Sequence, residues 1–573
     1  MGKTNKANRT KGNTRPSSSG HSAQLLSVGG RALSGFVGFD ALNKETASYV
    51  PVTGQHAEDA TDITVDSDFR MVMRKMLKRD AVTRLKAMQE FGEHCVEKEV
   101  DVVKNVLPFW PRLFNKLALD SDRRIREATH QANRKLLTKV KREMAPYLKN
   151  IMGVWLLGQC DLYAPAASAA QAIFSSTFPA NKQSEAVMFC KNEIFSYFKD
   201  NLFEQTAKTM SDPNVATPED MENKYILVIS ATLQALKLFL KLLPKKELDE
   251  IHEYFFPIVA ENKFWKFAKH KEAQIRGAWC ALISSMCQIK PDIFKETEKK
   301  LATTVFGCLS ESDPIVAPLV WESILSIVVN FSNCWEDINI HKVVLPQLWS
   351  LLKAGGKGNA RILYPCLLPF LSKLPKEVVE SENFLSEFFS CLKQSLLLES
   401  VKSSTIECDA ILATFFESLQ FMCWSRLGKE KAGQEFLHKI LMNEVIPLLE
   451  PFFFLKVMSH LAVSKLYTCM GITKEKEWNI NGNQTKNITV AFKTFHAFWE
   501  QIFLITCKIL SKEESVSMPL VYLSFFYTSI LQPADCSVKQ QKRTVRFEDD
   551  NRDKSSEKEK SSEKPLSNES TVE

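Results

Sequence analysis

Three kinds of residue grouping in this 573-residue chain invite a chemical reading. The first is Gly355-Gly356-Lys357-Gly358, short, glycine-rich and basic as a phosphate cradle would be. It lacks both the spacing of G-x-x-x-x-G-K-[ST] and the terminal hydroxyl that would hold magnesium, so it reads as an inter-helix loop. The second is the carboxylate pairs Glu513-Glu514 and Asp549-Asp550. General acid–base work needs one carboxyl with a raised pKa, and both pairs fall in polar segments with nothing to desolvate them. The third is cationic. Lys3, Lys6, Arg9, Lys11, Arg15 and Arg31 all precede the first acid, Asp40, while Arg123-Arg124 and the group Lys75, Lys78, Arg79, Arg84 and Lys86 follow later. Such groups meet phosphate, and the bland alternative for each is a solvated face.

Phe36 and Phe39, in Gly35-Phe36-Val37-Gly38-Phe39, add an aromatic pair to the basic arm. They fit either a docking peptide or a strap on the first ordered repeat. Fourteen cysteines contain no Cys-x-x-Cys, and ten histidines are dispersed, so the paired ligands of a zinc module are missing. H-E-x-x-H and G-x-S-x-G are also missing. No catalytic, cofactor-binding or metal-binding residues are expected. The candidate site residues are binding residues: Lys3, Lys6, Arg9, Lys11, Arg15, Arg31, Phe36, Phe39, Arg123 and Arg124.

The elements that would position these groups are helical. In LDSDRRIREATHQANRKLLTKV (119–140), Ile125, Ala128, Ala132, Leu136 and Val140 recur at three- and four-residue spacings, whereas Arg123, Arg124, Glu127 and Lys135 fall off that stripe. Asp120 and Asp122 stand where a carboxylate can cap the helix. The order Asp120, Ile125, Arg126, Ala128 matches the second helix of a HEAT repeat, whose Asp and Arg bond laterally to a neighbouring repeat. Ile275, Arg276 and Ala278 form a second copy, and Val316 with Leu319 a third, with a step of 41 residues from Ile275 to Val316. That step lies in the period of about 40–47 residues of HEAT and armadillo units. His270 replaces the Asp of the second copy, and Ala317 the Arg of the third.

The fold class is therefore all-α, a HEAT- or armadillo-like α-solenoid with a disordered N-terminal arm and C-terminal tail. The divisions are a basic disordered arm over 1–62, a helical repeat domain over 63–535 and a charged disordered tail or linker over 536–573. Ser67 and Asp68 are candidate caps for the first helix, and long helices are expected over 182–209 and 246–269. The chain is longer than the ~250–300 residues at which a single core stops growing. Its 45% apolar content supplies a continuous stack, and only 20 glycines argue against an all-β fold. The net charge of +7 resides almost wholly in the arm. The cysteines read as reduced core thiols of a cytosolic protein. The uncharged run from Ser515 to Ala534 includes Pro519, four serines and Gln532, which favours a buried helix over a membrane span.

Several longer strings resemble the N-terminal part of the listerin family of ribosome-associated RING-type ubiquitin-protein ligases. They are TKGNTRPSSSG (10–20), GFVGF (35–39), VDSDFRMVMRKMLKRDAVTRLKAMQEFG (65–92), LPFWPRLFNKLALDSDRRIREATHQA (107–132), ENKFWKFAKH (261–270), GGKGNARILYPCLLPFLSKLP (355–375) and TVRFEDD (544–550). The resemblance implies ribosome-associated quality control, in which nascent chains stalled on the large ribosomal subunit are ubiquitinated. It implies docking to that subunit, with ribosomal RNA contact, and to nuclear export mediator factor. A ubiquitin-conjugating enzyme and zinc would be engaged only through a C-terminal RING, whose ligands are absent here. No membrane partner is implied. The alternative is a generic HEAT-repeat scaffold or transport adaptor with no ubiquitin role.

Overall fold

The computed structural model describes residues 65–213, 216–336, 338–422 and 431–449, with further helical positions at 457, 497–498, 500–505 and 507–508. All of them fall in the first of two units, Met1–Val516. Among the described residues there is no strand. Helices of eight residues or more are α1 Ser67–Met76, α2 Ala81–Glu97, α3 Trp110–Leu117, α4 Arg123–Val140, α5 Leu148–Gly158, α6 Ala164–Thr177, α7 Lys191–Lys199 and α8 Pro218–Leu242. They continue as α9 His252–Ala260, α10 Ala273–Ile289, α11 Glu298–Phe306, α12 Ala317–Asn330, α13 Leu345–Lys353, α14 Glu382–Leu396, α15 Thr405–Met422 and α16 Lys431–Ile440. The all-α stacked arrangement is that of a solenoid.

The stacking follows the apolar stripes. α2 packs on α4 and α4 on α6; α8 packs on α10 and α10 on α12; α5 lies against both α6 and α8 and joins the two runs. In α4, Ile125, Ala128, Ala132, Leu136 and Val140 are buried, and Arg126, Thr129, His130, Asn133 and Leu137 are buried as well. The helix is covered on two sides, so the inward face is wider than the stripe alone indicated. An aromatic chain runs through the first pairs: Phe69 to Phe91 at 5.4 Å, Phe91 stacked on Trp110 at 4.7 Å, Trp110 to Phe114 at 6.0 Å, and Phe114 to His130 at 5.6 Å. Trp110 donates its indole N–H to Asn133 Oδ1 at 3.0 Å, which satisfies the one polar atom this ring buries.

Several expectations need correction. The first cap is Asp66, whose carboxylate accepts the N–H groups of Asp68 and Phe69, so Ser67 and Asp68 belong to the first turn of α1. The helix expected over 182–209 breaks at Cys190 and ends in a single π turn over Asp200–Glu204. The one expected over 246–269 divides into α9, a short helix Asn262–Lys266 and 3-10 turns on either side. Apolar periodicity carries across such breaks because the neighbouring layer demands it, whereas the hydrogen-bond ladder does not. In the third repeat copy, Val316 and Ala317 are buried and Leu319 is only half-buried, with Val320 taking the inward place.

Gly355-Gly356-Lys357-Gly358 is a left-handed turn, with φ of 61°, 65°, 53° and 82°. A Cβ on Gly355 would meet Val401 at 2.8 Å, so both backbone sign and space require glycine there. Lys357 spends its ammonium on the Ser310 carbonyl at 3.0 Å. The turn is a connector, as its sequence indicated. α8 is long and apolar enough to cross a membrane by length and composition alone, but two thirds of its apolar window is buried inside the protein, as in a core helix. The run Ser515–Ala534 and the carboxylate pairs Glu513-Glu514 and Asp549-Asp550 lie outside the described residues.

Candidate docking surface

One device recurs along the edge where the inner helices begin. Arg126 donates Nη1 to the carbonyls of Asp120 and Ser121 at 2.9 and 3.3 Å, while Nε and Nη2 grip Asp161 of the next repeat at 2.6 and 2.9 Å. Arg276 repeats this with the carbonyls of His270 and Lys271, both at 2.9 Å, and with Glu311 at 2.7 and 3.3 Å. Arg84 does the same with the carbonyls of Lys78 and Arg79 and with Asp120 at 2.9 and 3.0 Å. In each case one guanidinium ties down the turn before its own helix and the carboxylate before the next.

The receiving carboxylates also organise their own turns. Asp120 accepts the N–H of Asp122, Asp161 that of Tyr163, and Glu311 that of Asp313, at 2.8–2.9 Å. His270, the departure noted in the sequence, fills this role with Nδ1, which accepts the Glu272 N–H at 3.1 Å. The ladder is interrupted after α6, where Ala167 stands six residues past Asp161 and no guanidinium points onward. That is also where α5 bridges the two runs of inner helices.

The candidate binding residues divide in two. Lys3, Lys6, Arg9, Lys11, Arg15, Arg31, Phe36 and Phe39 lie outside the described residues. Arg123 and Arg124 are exposed on α4. Arg124 forms a two-point pair with its own cap, Asp122, at 3.1 and 2.7 Å, and Arg123 lies over the Tyr163 ring at 5.0 Å. Within the group after α1, Lys75 pairs with Glu90 at 2.8 Å and Arg84 with Asp120. Much of this conspicuous charge is already engaged within the fold.

A different set of cations is unengaged. Arg112 and Lys116 sit one turn apart on α3, and both reach solvent. Beside them are the Arg84–Asp120 pair and, from α8, the half-buried Lys224. The Lys116 ammonium is held below the usual lysine range, first by burial among surrounding atoms and then by the like charges of Arg112 and Arg84, with Asp120 opposing. Burial does the same to Lys224, with a further like-charge push from Lys116 and opposition again from Asp120. Neither lysine forms a hydrogen bond or ion pair with a described residue. The i,i+4 pair on α3 was visible in the sequence; Lys224, more than a hundred residues away, carried no signal linking it to them.

Among the described residues no group of three or more His, Cys, Asp or Glu is placed to hold a metal ion. Burial pushes the thiols of Cys95, Cys160 and Cys190 up to about 12, far from thiolate chemistry at neutral pH. The fold defines the class as a helical-repeat protein. The sequence profile of the N-terminal domain of E3 ubiquitin-protein ligase listerin matches residues 64–374, and the chain belongs to that family. E3 ubiquitin-protein ligase listerin of Mus musculus is 45% identical over 78% of this chain, and that of Drosophila melanogaster 35% identical over 90%. These matches cover 25% and 30% of the two relatives, so the chain spans a quarter to a third of their length. Among solved structures, the karyopherin Kap121p bound to the SUMO protease Ulp1p aligns over 81% of this chain and 41% of its own, with 14% identity and a TM-score of 0.37.

Proposed function

We propose that this chain is the docking portion of a listerin-type ubiquitin-protein ligase of ribosome-associated quality control. In this reading it works in the cytosol. It binds the large ribosomal subunit that carries a stalled nascent chain, together with nuclear export mediator factor, and transfer chemistry belongs to a RING that recruits the ubiquitin-conjugating enzyme elsewhere in the family's architecture. The observation that carries the proposal is the match of residues 64–374 to the listerin N-terminal domain. It is supported by a described surface that offers cations and an extended stack but no catalytic constellation.

A helical stack suits such a role because each repeat contacts only its neighbours. Binding at one part of the surface therefore leaves the remainder free to project a distant domain. The test is competition. The polypeptide is added in excess to stalled large subunits, intact listerin, ubiquitin and a conjugating enzyme. It should form no ubiquitin chains alone and should suppress nascent-chain ubiquitination, because at about a hundredfold excess over its dissociation constant only about 1% of sites stay free. Absence of inhibition at saturation, or absence of co-sedimentation with free large subunits, would return the chain to the generic scaffold reading.

A further inference from the structure

We infer that the cavity between α11, α12 and the turn 331–336 receives a lysine or arginine side chain, and that its occupant is the chain's own basic arm. The cavity has a volume of about 150 Å³. Leu301, Ile327 and Phe331, all buried, line it together with two exposed carboxylates, Glu298 and Glu336. Neither carboxylate forms a hydrogen bond or ion pair with a described residue. Cys334, 7% exposed, lines it as well, with a thiol that has no partner beyond its own backbone. Burial first and the charge of Glu298 last push that thiol up to about 11, with the backbone hydrogen bond opposing.

The lining selects the ligand. A drug-sized molecule needs a pocket of roughly 300–1,000 Å³, whereas this volume suits a group about the size of benzene, or one side chain. Two carboxylates exclude an anion, and a wholly apolar group would desolvate them unpaired. Lysine and arginine meet both demands, with an aliphatic stem for the buried floor and a cationic head for the carboxylates. A metal ion is not suited, because among the described residues no three ligands are placed to hold one. The cations near Glu298 in the chain are already engaged. Lys295 pairs with Asp292 at 2.9 Å, Lys290 is shared between Asp249 and Asp292, Lys300 donates to Asn262 Oδ1, and Lys299 likewise has a partner.

Charge and reach name the arm as the source of the cation. Lys3, Lys6, Arg9, Lys11, Arg15 and Arg31 all precede the first acid, so no carboxylate within residues 1–39 competes for them. The packing order α2, α4, α6, α5, α8, α10, α12 puts six interhelical steps between the first repeat and the cavity, about 50–60 Å at roughly 8–10 Å each. Arg31 lies 34 residues before Val65 (65 − 31), and an extended chain of that length spans up to about 110 Å. Tethering makes capture intramolecular, which favours the arm over an equally basic segment of another protein. Held there, the arm meets phosphate only after release.

The test uses the full chain with a benzophenone side chain in place of Ala7, Ser17 or Ala32, each within two residues of an arm cation, photo-cross-linked at low salt. Adducts mapped by mass spectrometry should fall on residues 298–336 from at least one position. They should form within single molecules when unlabelled and isotope-labelled chains are mixed. Glu298→Gln with Glu336→Gln removes two charges from exposed positions and should lower that yield by about fivefold, the scale of two partly exposed ion pairs. Glu97→Gln with Glu99→Gln should leave it unchanged, although these exposed acids flank Lys98, which holds Asp66 and Asp68 where the arm attaches. Absence of adducts on 298–336 from all three positions overturns the inference, as does a yield there that survives loss of both carboxylates. Adducts joining two copies overturn it too, since the occupant is then a second chain. No ribosome enters the experiment, so failure here leaves the docking function untouched.

Discussion

Arg126 shows how much one side chain decides. It is buried with Asp161, their side chains 7% and 3% exposed, and together they join two repeats. Arg126→Ala would strand a buried carboxylate and should destabilise the protein by on the order of 3–5 kcal/mol, whereas Arg126→Met with Asp161→Leu should recover most of that. Thermal melts of the wild type and the two variants check this, and equal melting temperatures for the single and double variants would contradict it. His130 provides a pH signature. Its ring stands against Gly158, where an added Cβ would lie 2.4 Å from Nε2, and edge-on to Phe114. Neither ring nitrogen has a hydrogen-bond partner among the described residues. Burial holds its pKa down to about 4, with Asp161 opposing and Arg126 reinforcing. The folded pKa lies below the unfolded value of ~6.5, so the stability linked to neutral His130 is full above pH ~6.5 and drains as pH falls toward 4. Denaturation midpoints should fall by an amount equivalent to on the order of 2–3 kcal/mol across that window, and His130→Asn should flatten the profile.

At the scale of elements, the turns carry as much specification as the helices. The inner helices begin with turns held by Asp120, Asp161, His270 or Glu311, and an arginine from the same or the preceding repeat locks each of the four. The left-handed turn at Gly355 is the other extreme, set by backbone conformation and by the space beside Val401 rather than by a charged pair. Gly355→Ala places a side chain at φ 61° and against Val401, and should cost about 1–3 kcal/mol. Gly358→Ala shares the positive φ but has nothing within 4 Å of its Cβ, so it should cost less. Comparing the two melting temperatures separates steric conflict from conformational strain, and equal losses would mean that Val401 adds nothing to the strain of the backbone.

For the whole molecule the question is how binding is distributed between the arm and the stack. The six arm cations Lys3, Lys6, Arg9, Lys11, Arg15 and Arg31 all precede the repeat domain in the chain. Deleting residues 1–40 should weaken large-subunit binding and reduce the salt slope by about 0.7–0.9 for each phosphate that an arm cation neutralises. Co-sedimentation across a salt series measures this, and an unchanged slope after deletion would make the arm a solvated tail.

Much of this could be read before any coordinates. The helical spacing of Ile125, Ala128, Ala132, Leu136 and Val140 named a buried stripe, because burial on a helix has a period that residue order records directly. Asp120, Arg126 and Arg276 were legible as lateral repeat contacts, since repetition places equivalent residues at a fixed step along the chain. The lack of catalytic motifs and the listerin-like strings were likewise properties of order alone. Tertiary structure decided the rest. Whether Arg124 is free or paired depends on a cap two residues away adopting one geometry. Whether 182–209 is one helix or several depends on neighbouring layers, which supply burial without demanding an unbroken ladder. Arg126 grips Asp161 only because α4 and the turn before α6 are brought together across 35 residues, and electrostatic coupling depends on distance in space, to which separation along the chain is no guide.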